Sequence, residues 1–246
     1  MTTSEAIAHQ LKQLKGKPLK EKLEHIITYF WGPILGVLAV IVLGIFLIVH
    51  FSTRKVDALN VFCLNSFIKT EEAKKITEDF ADFAGIDTDQ YAVWLNTGMV
   101  VSDLTPTETY EAIQTLSARV AAGAVDILVA DMDAFGIFLY QDYFCDLSQI
   151  LTPAQQARLK DYIIYVDRTY MEAKLSGKEV PVPFPDPTKP EEMDHPVPVA
   201  LLLPSNNEFV QKNYSSIKEQ IAFGIVVNGQ NQENALAFLD YVTAND

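Results

Sequence analysis

Beyond residue 55 the apolar positions of this chain fall into short strand-like runs separated by stretches of helical period. Val56 to Leu64 (VDALNVFCL) reads as a strand that ends at Asn65-Ser66. Thr70-Glu71-Glu72 then opens a helix with acidic residues in its first turn. Its Ala73, Ile76, Phe80 and Phe83 lie close to one face, and Gly85 stops it. Tyr91 to Val101 (YAVWLNTGMVV) is a second strand, with Trp94 expected in the core. Thr105-Pro106-Thr107-Glu108 has the form of a capping box with Pro at the first helical position. The helix it starts turns Ile113, Leu116 and Val120 inward and ends near Gly123. Asp126 to Ala130 (DILVA) is nearly all apolar, as a strand covered on both faces requires. Strand, helix, strand, helix, strand gives two successive crossovers and predicts an α/β layer fold.

The second half is less regular. Ala134 to Tyr143 is helix-like, Thr152-Pro153-Ala154-Gln155 forms another capping box, and Tyr162 to Val166 (YIIYV) reads as a strand. Residues 178–199 hold seven prolines, at 181, 183, 185, 187, 190, 196 and 198, and form a stiff loop rather than regular structure. Val197 to Leu203 resumes as a strand, and its Pro198 predicts an edge position. Ile221 to Val227 is the last strand. Asn231 caps a final helix that places Ala235, Phe238, Leu239 and Val242 at i, i+3, i+4 and i+7.

Before all this lies a different pattern: Ile26 to Val49 carries no charge. As a helix it extends roughly 36 Å, against a hydrocarbon core of about 30 Å, and is expected to be a transmembrane helix over residues 26–51. Tyr29, Phe30 and Trp31 mark one interface. Lysines 12, 15, 17, 20 and 22 precede the run and only Arg54 and Lys55 follow it. The positive-inside tendency then predicts a cytoplasmic N-terminus and a single pass through the cell membrane. The expected organisation is a basic cytoplasmic tail (1–25), the bilayer-contacting helix, a linker (52–58) and one extracytoplasmic α/β domain (59–246).

Charge divides at the same place. The whole chain has a formal net charge of −13; residues 1–55 hold 7 Lys/Arg and 3 Asp/Glu (+4), leaving 12 and 29 (−17) beyond them. A body this acidic repels nucleic acid and anionic lipid and suits cationic or peptide-like partners, although acidity also serves plain solubility.

Residues Ala122-Gly123-Ala124-Val125-Asp126 followed by the apolar Ile127 to Ala130 and Asp131 resemble the bacterial extracellular solute-binding proteins of ABC transporters, the type II periplasmic-binding-protein fold. Gly224 to Asn228 followed by Asn231 to Val242 is similar to that family's closing strand and helix. The resemblance implies one α/β sandwich lobe after the transmembrane helix, since only residues 147–204 stand where the family inserts a second lobe. It also implies an ABC transporter or another membrane complex as partner. The expected function is a membrane-tethered, non-enzymatic binding or accessory protein; the alternative is a working solute receptor.

Open α/β sheets bind ligands beyond the carboxyl ends of their strands. Those ends carry Asn65, Ser66, Asn96, Thr97, Asp131, Asp133, Ser205, Asn206 and Asn228. Asn65, Ser66, Thr97, Asp131 and Asn228 form the candidate ligand-binding set, with capping and turn formation as the competing role for such residues. No cofactor or metal is implied. His195 is the one histidine of the body and stands in the proline loop. The chain has no G-x-S-x-G, no H-E-x-x-H and no phosphate-cradling glycine loop. Cys63 and Cys145 could pair or stay as buried thiols.

Overall fold

The computed structural model describes residues 18–52, 54–101, 105–180, 184–215 and 220–244. It divides into two compact units, Met1–Arg54 and Lys55–Asp246. In the first, α1 (Leu19–Ser52) contains the uncharged run. Among the described residues no helix is long and apolar enough to cross a membrane. This corrects the expected transmembrane helix 26–51, its contact with a lipid bilayer and the single-pass cell-membrane placement with the domain outside. Lack of charge had set the length, and lack of charge alone is not a continuous apolar helix of membrane thickness. Lysines 12, 15 and 17 of the basic tail lie outside the described residues.

The second unit is an α/β sandwich around one sheet. Its strands are β1 (Val56–Cys63), β2 (Tyr91–Asn96), β3 (Ile127–Asp131), β4 (Ile163–Asp167), β5 (Pro196–Leu203) and β6 (Ile221–Ile225), in the spatial order β2-β1-β3-β6-β5-β4. β1 pairs in parallel with both β2 and β3. β6 is antiparallel to β3 and to β5, and β4 is antiparallel to β5. Strands β1, β2, β3 and β5 therefore point one way, and β4 and β6 the other.

Period-two alternation sorts the strand side chains onto two faces. Leu59, Val61 and Cys63 of β1, Ile127 and Val129 of β3, and Ile221, Phe223 and Ile225 of β6 face one core. Over it lie α2 (Thr70–Ala84) through Ile76 and Phe80, α8 (Glu208–Tyr214) through Phe209 and Tyr214, and α9 (Gln232–Thr243) through Phe238 and Leu239. Phe62, Leu64, Leu128, Ala130 and Ala222 face the other. There α3 (Pro106–Ala121) contributes Leu116 and Val120, α4 (Met132–Leu139) Phe135 and Phe138, and α7 (Arg168–Leu175) Tyr170 and Met171. Two short helices, α5 (Leu147–Ile150) and α6 (Pro153–Leu159), complete the first layer through Leu147 and Leu159.

The local rules hold at both expected capping boxes. Thr105 and Glu108 exchange bonds at the start of α3, and Thr152 and Gln155 do so at α6. Gly85 closes α2 in the left-handed region at φ 67°. Four readings need correction. Strand β2 stops at Asn96 rather than Val101. Trp94 is 51% exposed, because β2 is an edge strand; its indole N–H donates to Asp57 at 2.8 Å. Phe83 is exposed while Ala81 is buried, so the apolar face of α2 turns one residue earlier. β5 is an interior strand despite Pro198, because the β4–β5 register shifts between Ile164 and Tyr165. Such an irregularity tolerates the proline's missing N–H.

Candidate functional site

Because β1, β2, β3 and β5 run the same way, their carboxyl ends meet at one end of the sheet. Asn65 follows β1 in the left-handed region at φ 56°, where Asn is among the few side chains that fit without strain. Its amide donates to Asp131 Oδ2 at 2.6 Å, and its Oδ1 accepts from the Val101 N–H at 2.8 Å. Asp131 Oδ1 in turn accepts from Ala134 N–H at 3.0 Å and caps α4. Ser66 Oγ donates to the Asn213 carbonyl at 3.3 Å, joining the end of β1 to α8. Asn65, Ser66 and Asp131 are buried, so the structure brings them together as bracing that binds β1, β3 and the segment after β2.

Thr97 lies at the same end, half-buried in an open groove of about 580 Å³ with Asn96, Met99 and Arg119. Asn228 does not join them. It follows β6, and since β6 is antiparallel to β3 its carboxyl end faces the opposite end of the sheet. There the exposed Asn228 stands beside Gly123, with its carbonyl 3.0 Å from where a β-carbon on that glycine would be.

A larger groove opens where the strand direction reverses. Its volume is about 790 Å³, and it is lined by Ser205 after β5, Gln220 before β6, Tyr162 before β4, and Gln211, Tyr214 and Ser215 at the end of α8. Ser205 was legible as a strand-end residue. Gln211 and Tyr214 were missed because α8 fills the unread interval between Leu203 and Ile221. The available signal was Asn207 followed by an acidic first-turn residue, since Asn207 Oδ1 accepts from Val210 N–H at 3.1 Å.

Behind the groove the chemistry is closed. The Tyr214 hydroxyl donates to the Val129 carbonyl at 3.0 Å, and burial pushes its pKa well above the usual tyrosine value. Burial likewise pushes the Cys63 thiol up to about 12, against the lowering effect of its hydrogen bond with Tyr214. Cys145 is also raised, chiefly by burial and further by Asp146. Both cysteines are free and buried. Neither is a ready thiolate at neutral pH. His195 is exposed, and its carbonyl accepts from the Arg168 N–H. Among the described residues no cluster of His, Cys, Asp or Glu is arranged to hold a metal ion.

Asp126 opens the third expected strand and closes the stretch 122–126 that carries the family resemblance. It is fully buried at the opposite end of the sheet, where its Oδ2 accepts from Asn60 N–H at 2.8 Å and from the Asn231 amide at 3.0 Å. Its Oδ1 accepts from Asn231 N–H at 2.9 Å. Asn231 therefore precedes α9 without a side-chain cap, its amide being spent on Asp126.

No family model matches the chain, and no curated protein matches it. Among solved structures it is similar to the periplasmic binding protein P5PA at 12% identity and a TM-score of 0.31, over 76% of this chain and 80% of that one. It is also similar to a protein named for oligosaccharide periplasmic binding from Synechococcus sp. MITs9220, at 12% identity and a TM-score of 0.27. That second match covers 50% of this chain and 32% of the other.

Proposed function

We propose that the chain is a non-enzymatic binding module whose single α/β lobe receives a small polar solute, neutral or cationic, in the groove at its parallel strand ends. The observation that carries this reading is the placement of the roughly 790 Å³ groove at the carboxyl end of β5, the end of the sheet at which β1, β2 and β3 also finish. Open α/β sheets bind ligands beyond the carboxyl ends of their strands, and small-molecule sites occupy about 300–1,000 Å³. The lining supplies a hydroxyl from Ser205 and amides from Gln211 and Gln220, which suit a hydrogen-bonding solute. The acidic balance of the body disfavours anions. The non-enzymatic part rests on the burial of both thiols, which removes them as nucleophiles.

A second reading, an accessory subunit that docks on a protein partner, draws on the single lobe: a solute held at one sheet's end is covered from one side. The resemblance of residues 122–131 and 224–242 makes a transporter of the ABC class the natural partner in either case. Melting of the full chain with amino acids, mono- and disaccharides and tripeptides at about 1 mM separates the two. A saturable rise in Tm with one class is expected. A flat response to every class overturns the solute reading and leaves the accessory one.

A further inference from the structure

Three aromatic rings from separate parts of the chain converge at the far end of β4 from the groove. Tyr140 follows α4, Tyr170 lies in α7 and Phe184 belongs to the proline-rich segment. The Tyr140 and Tyr170 centroids are 5.3 Å apart, Tyr140 and Phe184 5.5 Å, and Tyr170 and Phe184 5.9 Å. The Tyr140 hydroxyl donates to the Pro185 carbonyl at 3.0 Å, which fixes both that ring and the segment bearing Phe184. The tyrosines are buried, whereas Phe184 is 49% exposed, so the box is open to solvent along one wall. A cation already stands over it. Lys174 Nζ lies 4.6 Å from the Phe184 centroid and 5.6 Å from that of Tyr140.

We propose that Tyr140, Tyr170 and Phe184 form a binding site for a methylated ammonium group, held in the free protein by the Lys174 side chain. The Phe184 and Tyr140 faces attract the cation through the ring quadrupole, and Tyr170 braces both rings in an edge arrangement. Asp167 and Asp186 add negative charge close to Tyr140. The resident ammonium is a poor match in one respect. Among the described residues it makes no ion pair, and rings replace the hydration of three N–H donors incompletely. Desolvation accordingly lowers its pKa. A methylated ammonium has a diffuse charge and fewer or no N–H donors to strand, so it gives up less on entering the same box.

The experiment titrates the full chain with tetramethylammonium chloride, using sodium chloride as the ionic-strength control and following the Lys174 ε-methylene by NMR. Ring currents place that signal upfield in the free protein. Saturating tetramethylammonium is expected to return it toward its solvent position. Lys174→Ala and Lys174→Gln remove the tethered competitor and are expected to bind about fivefold more tightly. Phe184→Ala loses the saturable binding while melting cooperatively, and Ser205→Trp, which alters only the separate groove, leaves it unchanged. Absence of saturable binding by both Lys174 variants, or unaltered binding by Phe184→Ala, overturns the proposal.

Discussion

Asp126 carries the largest single-residue consequence of the structure. A buried carboxylate is tolerated only when its lone pairs are occupied, and here three N–H donors from Asn60 and Asn231 occupy them. Removing it strands those donors as well as opening space. Asp126→Ala is expected to cost about 3 kcal/mol in urea unfolding, with Asp126→Asn costing less because it retains one acceptor. A loss under about 0.5 kcal/mol would mean that the donors find other partners. Cys63 gives a pH signature. Its thiol titrates at about 12 in the folded chain against 9.0 when unperturbed, so folding favours the neutral form. That contribution is complete below pH 9 and is lost as pH rises from 9 toward 12. The urea midpoint is expected to fall over this window, and to fall less steeply in Cys63→Ala. Equal slopes for the two proteins would assign the effect to other groups, such as Tyr140, which burial also pushes up to about 12.

Elements whose signals are local were legible. The two Thr-Pro-x-Glu/Gln boxes and Gly85 satisfy bonds within one turn, so the sequence carries everything they need. Readings that depended on neighbours were not legible. Trp94 looks like a core residue until β2 is known to be an edge, and Pro198 looks like an edge residue until the β4–β5 bulge is known. Helix α8 was overlooked because seven residues hold too few turns for a periodic pattern. Gly224 is set by a neighbour too. A β-carbon there would lie 2.5 Å from a Phe144 ring carbon and 2.9 Å from Phe135 Cζ. Those rings stack at 4.6 Å over the glycine. Gly224→Ala is therefore expected to destabilise β6 by about 1–3 kcal/mol, read from the melting of the purified variant. A neutral result would show that the stacked pair shifts freely.

At the scale of the whole molecule, strand direction decides which polar residues can share a ligand. Asn65, Ser66, Thr97 and Asp131 lie at one end of the sheet because β1, β2 and β3 are parallel. Asn228 was separated from them by the reversal of β6, which hydropathy does not encode, since a buried strand reads the same in either direction. The same reversal creates the groove between β5, β6 and α8. The measurement that tests this account most directly compares the full chain with its Ser205→Trp variant, in which the exposed Ser205 is replaced by a ring that fills the groove. Both are melted against the same amino acids, sugars and tripeptides. A class that raises the Tm of the parent saturably and leaves that of a cooperatively folding Ser205→Trp unmoved is the predicted result. Equal shifts in the two proteins, or none in either, would contradict it.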